Sequence, residues 1–414
     1  MKRGQWVKGA GKAAAAGTAL VGMVGLGVGG LAATAGAAKT GDSVTKIAGL
    51  KLSKPISLGF LWEIQGESEI ATSQYQQGAT MAVNEINAGG GVGGQKVTWF
   101  RQTLPPLTLQ KTVSDFVQAA GQHPTAMIGV ASPTQATTLA ADITNAKTPV
   151  FITDVGGPTD IWGGKGSSAY SWFLGNDTTE LVTAALTYDV KTLHLKKIGL
   201  FGGNDAYGSN GVKKATAVLK ANGLTPYAVE QFAETSTTLT SEVLAMKGAQ
   251  GVFNWAYPTP VGAQLKQMAQ AGINIPTVTD ESGSLVASAK LAPATALTKM
   301  SVSGPCNTEN PTYSPNLATF TKAFEKKYGT APTPNATWGY DGVYFAVDSV
   351  VAAKSTTPVK VNNAVPKVSL TGTCGTYHAD GAHILNHTAV IETFSTVTKP
   401  VTSKVMKLKP VGKE

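Results

Sequence analysis

The sequence is poor in charged residues. Only 14% of its 414 residues are charged, whereas 42% are hydrophobic. Intrinsically disordered chains combine high net charge with little apolar material, so this composition argues against disorder. The apolar content is sufficient for two ordinary hydrophobic cores, and the length exceeds that of one small domain.

Several patterns typical of catalysis or nucleic-acid binding are absent. The net charge of +9 is not gathered into a basic block with interleaved aromatic residues, so nucleic acid is not an expected partner. There is no G-x-S-x-G elbow for a hydrolase and no pair of carboxylates arranged for glycosidic chemistry. We therefore expect no enzymatic activity and no cofactor.

The one long apolar run lies at the N-terminus. Four basic residues precede an uncharged stretch, 13–33, which is followed by the small-x-small pattern Ala35-Gly36-Ala37. This arrangement predicts a cleavable secretory signal peptide over residues 1–37. A membrane-spanning anchor is the alternative, because about 20 apolar residues can cross a bilayer. Residues 38–53 are polar and aperiodic, which predicts a mobile lead-in.

Cysteine is scarce. Cys306 and Cys374 are the only two, and no C-x-x-C pair is present to suggest a metal site. In an exported protein an even number of cysteines favours one disulfide, and two unpaired thiols are the alternative.

A helix, a glycine turn and a strand open the folded part of the chain. Within Gln77–Gln95, apolar residues recur at helical spacing up to Ile86. The run Gly89–Gly94 ends this helix, because glycine readily adopts positive φ. It is not a phosphate-binding loop, since it follows a helix and no GK[ST] sequence is present. The strand 96–100 comes next, so the segment is the αβ half of a βαβ unit.

The same alternation continues along the chain. Predicted strands are 56–62, 97–101, 126–130, 149–153, 171–174, 198–201, 225–231, 251–255, 277–279 and 300–304. Predicted helices are 109–120, 135–145, 180–193 with Asp177 or Thr178 as cap, 209–221, 239–246, 261–271, 317–328 and 336–351. Two βα series that separate near Gly175 predict two doubly wound α/β lobes with parallel sheets. The β-like tail, 368–397, is too short for a domain and is expected to join an existing lobe.

Ligands of open parallel sheets bind beyond the carboxyl ends of the strands. With two lobes, those ends can face each other across a cleft. The segments that follow the strands are therefore the candidate site: 62–67, 129–134, 154–157, 204–207, 255–257 and 280–283.

The order and spacing of several segments resemble a known family. The chain is similar to the type I periplasmic solute-binding proteins of the branched-chain amino-acid and amide class, the receptors of ABC importers. The resemblance covers about residues 54–400 and is carried by GATMAVNEINAGGGVGG (78–94), IGVASPTQATTLAADI (128–143), TPVFITD (148–154), NDAYGSNG (204–211) and WGYDGVYFAVDSV (338–350).

This resemblance implies two lobes joined by three crossovers, with the ligand cleft between them. The first lobe would comprise 54–174 and 306–374, and the second 176–305 and 375–410. Both cysteines would then lie close to hinge crossings, where a bridge could limit opening. The implied partners are a small polar solute and the membrane subunits of an ABC permease, and the receptor is expected to be a monomer.

On the first lobe, the resemblance places the solute carboxylate at a helix start. Ser132 fits the hydroxyl position and Thr134 is nearby, although Ser132 is equally suited to capping the helix. The loop after TPVFITD lacks the family's threonine, but Val155 and Gly157 of this loop offer main-chain groups. Asp154 adds a carboxylate that the family pattern does not predict, which argues against a simple α-amino acid.

On the second lobe, Tyr207 and Tyr257 stand where the family places aromatic rings against its ligand. Half-buried core tyrosines are the alternative for both. The carboxylate that would bind an ammonium group should follow the strand at 277, as Asp280 or Glu281. Trp62 is expected either at the floor of the pocket or in the core.

Three histidines, His378, His383 and His387, lie near Asp380 with spacing that could suit a metal. A run of Gly and Asn turns surrounds them, and exposed histidines are common in such turns, so no metal site is expected.

The sequence therefore predicts an exported solute receptor that closes around its ligand. A receptor-like sensor domain that feeds a regulator is one alternative, and an exported α/β enzyme is the other.

Overall fold

The structure is a computed structural model that describes residues 49–62, 69–105, 108–153, 156–158, 168–306, 308, 311, 314–396 and 399–407. The predicted signal peptide and most of the predicted lead-in lie outside these residues. Within the described part of the chain, none of the helices combines the length and apolar character that a membrane crossing requires.

The first large sheet is built from apolar runs of the N-terminal part. Its strands are β1 (Ile56–Trp62), β2 (Val97–Thr103), β3 (Ala126–Gly129), β4 (Val150–Ile152) and β5 (Ser171–Phe173). They are all parallel, in the order β2-β1-β3-β4-β5. The connecting helices are α1 (Glu69–Ala88), α2 (Leu109–Ala120) and α3 (Pro133–Ala146). Separate apolar cores cover the two faces of this sheet, as expected for a doubly wound lobe.

The glycine run after α1 forms the predicted turn. Gly90, Gly91, Gly93 and Gly94 all have positive φ. A Cβ atom on Gly91 would also lie 2.1 Å from the carbonyl oxygen of Gln95, so no larger residue fits there. The predicted structural role of this stretch is confirmed.

The second large sheet repeats the plan. Its parallel strands are β6 (Ile198–Gly203), β7 (Val229–Phe232), β8 (Gly251–Trp255), β9 (Thr277–Thr279) and β10 (Met300–Gly304). Its helices are α4 (Thr178–Thr187), which continues as a π-helical turn (Tyr188–Thr192), α5 (Ala206–Ala221), α6 (Thr240–Ala245), α7 (Pro258–Gln270), α8 (Ser282–Ser288) and α9 (Ala294–Leu297). Asp177 caps α4, as predicted, by accepting a hydrogen bond from the Thr179 N–H.

After β10 the chain returns to the first lobe. This part contains α10 (Pro315–Tyr328), α11 (Pro334–Ala353), α12 (Pro358–Ala364), a 3-10 turn (Val365–Lys367), β11 (Ser369–Thr371) and β12 (Thr376–His378). Helix α11 packs on α1 at backbone distance: a Cβ on Gly78 would lie 1.9 Å from Ala336 O, and one on Gly339 would lie 1.9 Å from Tyr75 O. Because Gly78 and Gly339 have no side chain, the two helices can cross this closely.

The end of the C-terminal tail joins the second sheet. Residues 376–385 lie on the first lobe, so the second lobe resumes near Thr388 and not at the predicted residue 375. Its strands are β13 (Thr388–Thr396) and β14 (Lys399–Lys407), and the sheet order is β14-β13-β10-β9-β8-β6-β7. Both pairings of β13 are antiparallel, so the parallel sheet of the second lobe has an antiparallel edge that the sequence does not predict. For β13 and β14 the reason is their closeness in sequence, since a parallel pair needs a crossover connection of a dozen or more residues.

Three other local predictions need correction. The sequence predicts no helix between β9 and β10, but α8 and α9 lie there, and it also misses α12. These helices have seven residues or fewer, too short for a helical period to stand out. Strand β7 begins at Val229, four residues later than predicted from Thr225.

Candidate functional site

The candidate segments lie at the carboxyl ends of strands in both lobes. Strand β3 leads into α3 of the first lobe, and strand β6 leads into α5 of the second. Helix α3 lies against α5. The two helices that follow these strand ends therefore meet between the lobes.

Ser132 is the N-cap residue of α3, followed by Pro133 at the first helical position. Its side chain makes no capping hydrogen bond, although its backbone is extended, with φ −130° and ψ 130°. The hydroxyl and the first N–H groups of α3 thus remain able to bind an anion. Thr134 is exposed on the first turn of the same helix.

The backbone before Ser132 is strained. Val130 has φ +65°, in the left-handed region that β-branched residues rarely adopt. Strain of this kind is concentrated at binding and active sites, where the surrounding structure enforces it. The sequence does not reveal Val130 as unusual, because its backbone conformation depends on the packing of β3.

Gly157 lies in the loop after β4 and is buried. A Cβ atom at this position would lie 2.3 Å from Asp177 Oδ2, so the glycine backbone packs directly on the cap of α4. Asp154 and Val155 lie outside the described residues. The structure therefore places one of the three predicted loop residues, at the junction of the lobes.

Tyr207 and Tyr257 are brought together on the second lobe. Their ring centroids are 5.3 Å apart, and Trp255 lies 5.8 Å from the Tyr207 ring. Both tyrosines are half-buried, and Tyr207 packs against the core beside α5. The three rings form an aromatic wall at the starts of α5 and α7.

Asp205 supports this wall. It caps α5 by accepting a 2.8 Å hydrogen bond from the Gly208 N–H. Burial raises the pKa of the Asp205 carboxyl, and hydrogen bonds from Gly208 and the Tyr257 side chain partly oppose that rise. Tyr257 is thus oriented by the carboxylate of Asp205, which belongs to the candidate segment 204–207 after strand β6.

Asp280 and Glu281 follow β9, as predicted, but they are buried in this arrangement of the lobes. Asp280 is fully buried, and its Oδ1 accepts hydrogen bonds from Ser282 N–H at 3.1 Å and Thr279 Oγ1 at 3.2 Å. Glu281 is 7% exposed and precedes α8. Asp280 therefore helps to start α8.

Trp62 lies at the end of β1, half-buried, with the guanidinium of Arg101 4.9 Å from its ring. It is neither a core residue nor enclosed by the aromatic wall. Two surface cavities of about 400 and 420 Å³ lie elsewhere, between α1 and α10 and at the end of α7. None of the residues that line them is a candidate ligand residue.

Both cysteines are buried in the core of the first lobe, where Cys306 and Cys374 form a disulfide with Cα atoms 5.1 Å apart. Cys306 lies two residues after β10, where the chain leaves the second sheet. The bond therefore anchors this crossing to the β11–β12 turn of the first lobe.

The histidines do not gather into a metal site. Within the described residues, no group of three or more His, Cys, Asp or Glu side chains is placed to hold an ion. The expectation that these histidines are exposed is wrong for two of them. The imidazole of His383 stacks on Trp172 at 4.0 Å, and His387 contacts Glu180.

Comparison with known proteins agrees with this geometry. The family model described as "Periplasmic binding protein" matches residues 55–394. The chain belongs to the periplasmic binding protein family. Membership implies a protein that binds solutes outside the cytoplasm, and the predicted resemblance and fold class are confirmed. No curated protein sequence matches the chain.

Solved structures of this family share the fold. The branched-chain amino-acid transporter substrate-binding protein LivJ from Streptococcus pneumoniae, in complex with isoleucine, is 21% identical, with a TM-score of 0.74 over 86% of this chain and 100% of that one. An ABC transporter solute-binding protein from R. palustris, in complex with benzoate, is 17% identical, with a TM-score of 0.74 over 87% and 98%. An ABC transporter substrate-binding protein from Sphaerobacter thermophilus is 15% identical, with a TM-score of 0.75 over 86% and 98%. All three relatives are substrate- or solute-binding proteins of transporters.

Proposed function

We propose that the chain is the extracytoplasmic receptor of an ABC importer. The chain acts as a monomer. It captures a small polar solute, such as an amino acid, an amide or a related compound, with a preference for a carboxylate group, and delivers this solute to a permease. What supports the proposal is that the start of α3 at Ser132 has no side-chain cap, and that α3 lies against α5, the helix that carries Tyr207 of the aromatic wall.

The start of α3 and the aromatic wall contact different parts of the solute. The uncapped N–H groups of α3 and the Ser132 hydroxyl attract the carboxylate, because a helix start carries partial positive charge. The tyrosine rings contact the flat or apolar part, and little side-chain entropy is lost when they are ordered. Contacts made only when the lobes meet supply the free energy of closure.

The solute class follows from the same features. One structural relative holds isoleucine and another holds benzoate, so this fold accommodates both aliphatic and aromatic carboxylates. The carboxylates suited to an ammonium group, Asp280 and Glu281, are buried. This burial favours a solute whose carboxylate and ring or alkyl group, not an ammonium group, determine its affinity.

Calorimetric titration tests the proposal. The mature chain is titrated with leucine, isoleucine, amides, benzoate and hydroxybenzoates. Tyr207→Ala is expected to weaken binding by about five- to tenfold, since a ring contact of about 1–1.5 kcal/mol is lost. Tyr227→Ala is the matched control, because Tyr227 is an exposed tyrosine outside the wall. If no carboxylate binds, or if both variants bind like the wild type, the proposal fails.

A further inference from the structure

A buried polar cluster joins two of the hinge crossings. Asn176 lies on the first crossing, between β5 and α4, and its amide donates to Asn386 O at 3.1 Å and to Glu180 Oε2 at 3.3 Å. Asn386 lies on the last crossing, just before β13. The next residue on this crossing, His387, places its imidazole against Glu180.

The imidazole lies between carboxylates that belong to different lobes. Glu180 is on α4, whose neighbouring residues pack in the core of the second lobe. Asp380 belongs to a turn held on the first sheet: its Oδ1 accepts from Ala382 N–H at 2.9 Å and from Ile384 N–H at 2.8 Å, and Ile384 is bridged to β5. Any rotation of one lobe against the other changes the gap that His387 fills.

The protonation state of His387 determines whether its ring can interact favourably with both carboxylates, those of Glu180 and Asp380. Its Nδ1 is 2.9 Å from Glu180 Oε1, and because a carboxylate only accepts, Nδ1 must carry a hydrogen. Its Nε2 is buried and lies 3.8 Å from Asp380 Oδ2. In neutral imidazole this nitrogen presents a lone pair to a carboxylate, which is repulsive. In imidazolium the same nitrogen carries a hydrogen, and the positively charged ring attracts the Asp380 carboxylate.

The charges around the ring favour the proton. Burial lowers the pKa of His387, but the hydrogen bond and charge of Glu180 and the charge of Asp380 outweigh it and hold that pKa above its usual value. His383, on the same turn, is also close to Asp380, but burial lowers its pKa. Of these two histidines, His387 is therefore the one that its surroundings favour in the protonated form.

We propose that His387 is a positioning residue of the hinge, and that its proton stabilises the present arrangement of the lobes by linking Glu180 of one lobe to Asp380 of the other. Loss of the proton loosens this link and favours a wider separation. Solute capture, on the proposed function, then weakens as pH rises. The sign follows from linkage, since a group whose pKa is raised in one form stabilises that form below its pKa.

The lobe arrangement can be measured without any ligand. Small-angle scattering of the ligand-free mature chain, from about pH 5.5 to about pH 8.5, spans the titration of a histidine with a raised pKa. The radius of gyration is expected to increase with a midpoint equal to the NMR-measured pKa of His387. The chain has five histidines, and the His387 signal is assigned by its loss in His387→Gln.

Three variants separate positioning from mere packing. His387→Gln retains a hydrogen-bonding side chain and should abolish the pH-dependent change. Asp380→Asn should move its midpoint to lower pH, because one of the two charges that favour the proton is gone. His123→Asn, a change at an exposed histidine, should leave the change intact. Thermal melts check that each variant is folded.

The effect of pH on solute capture is measured with the ligand that binds most tightly in the calorimetric titrations. The affinity of the wild type is expected to fall about threefold or more across this pH range, and that of His387→Gln to stay constant. A pH-dependent radius that persists in His387→Gln, or a His387 titration with no change in radius, overturns the proposal. Because the scattering arm needs no solute, absence of binding would count against the receptor function and not against the hinge.

Discussion

Gly157 and Asp177 are in direct contact across the junction of the lobes, since a Cβ on Gly157 would lie 2.3 Å from Asp177 Oδ2. Asp177 cannot easily move aside. It is fully buried, accepts a 2.8 Å hydrogen bond from the Thr179 N–H and lies 3.4 Å from Lys214 Nζ. The loop after β4 is thereby fixed to the first helix of the second lobe.

Gly157→Ala is expected to destabilise the protein by about 1–3 kcal/mol, because the added methyl group overpacks a rigid contact. Urea unfolding of Gly157→Ala, Asp177→Ala and the double variant measures the coupling. In the double variant the clash is relieved, so its loss should be smaller than the sum of the single losses. Additive losses would show that the two residues do not interact.

The crossing of α1 and α11 gives a second prediction. Gly339→Ala places a methyl group 1.9 Å from the carbonyl oxygen of Tyr75, and backbone cannot yield as a flexible side chain can. We expect a loss of about 3 kcal/mol or more in the free energy of unfolding. Gly121→Ala is the matched control, because Gly121 has helical φ and its nearest Cβ contact is 3.3 Å. Equal melting temperatures for the two variants would contradict the backbone contact.

Buried carboxyl groups in α11 make stability depend on pH. Burial raises the pKa of Asp348 to about 7. It also raises that of Asp341 to about 6, against hydrogen bonds from the Thr373 N–H and hydroxyl that lower it. The unfolded chain releases these protons near pH 4, as ordinary aspartates do at about 3.9. Between those values the folded state binds more protons, so the free energy of unfolding falls as pH rises.

Asp348→Asn should reduce the decrease in the free energy of unfolding that accompanies rising pH. The amide cannot ionise, so the variant is expected to lose less stability than the wild type between about pH 5 and about pH 8, by about 1–3 kcal/mol. Urea unfolding at several pH values gives the comparison. Asp142→Asn on α3 serves as the control. A pH slope for Asp348→Asn as steep as that of the wild type would exclude Asp348 as its source.

The disulfide gives a fourth prediction. Cys306 and Cys374 enclose a long loop, with a sequence separation of 68, and reduction is expected to lower the stability by about 2–4 kcal/mol. Thermal melts with and without reductant measure this loss. A Cys306→Ser/Cys374→Ser variant should melt at the same temperature in both conditions, because the chain has no other cysteine. A wild type that is insensitive to reductant even after complete reduction would contradict the prediction.

Much of the fold was predictable because its signals are local. Apolar runs such as 251–255 and glycine stops such as Gly89–Gly94 depend on neighbours in sequence, and they identified most of the strands and longer helices. The aromatic wall was foreseen in part, since Tyr207 and Tyr257 follow strands that lie side by side. The carboxyl ends of parallel strands lie at one edge of a sheet, so the residues that follow neighbouring strands are close together.

The features that escaped prediction depend on residues far apart in sequence. Glu180 and His387 are 207 positions apart, and no pattern along the chain connects them. The strain at Val130 and the burial of Asp280 likewise arise from packing that a single sequence does not display. The antiparallel edge at β13 was missed because the direction of a strand is set by the crossing that precedes it.

The close crossing of α1 and α11 also governs the order in which the molecule can form. Tyr328 donates to Gln77 O across 251 positions, and the core of the first lobe includes both helices. A chain that ends at β10 therefore lacks the helix against which α1 packs. Non-local contacts of this kind delay folding. The first lobe therefore cannot complete its core until α11 has been synthesised, although all five strands of its large sheet precede residue 174.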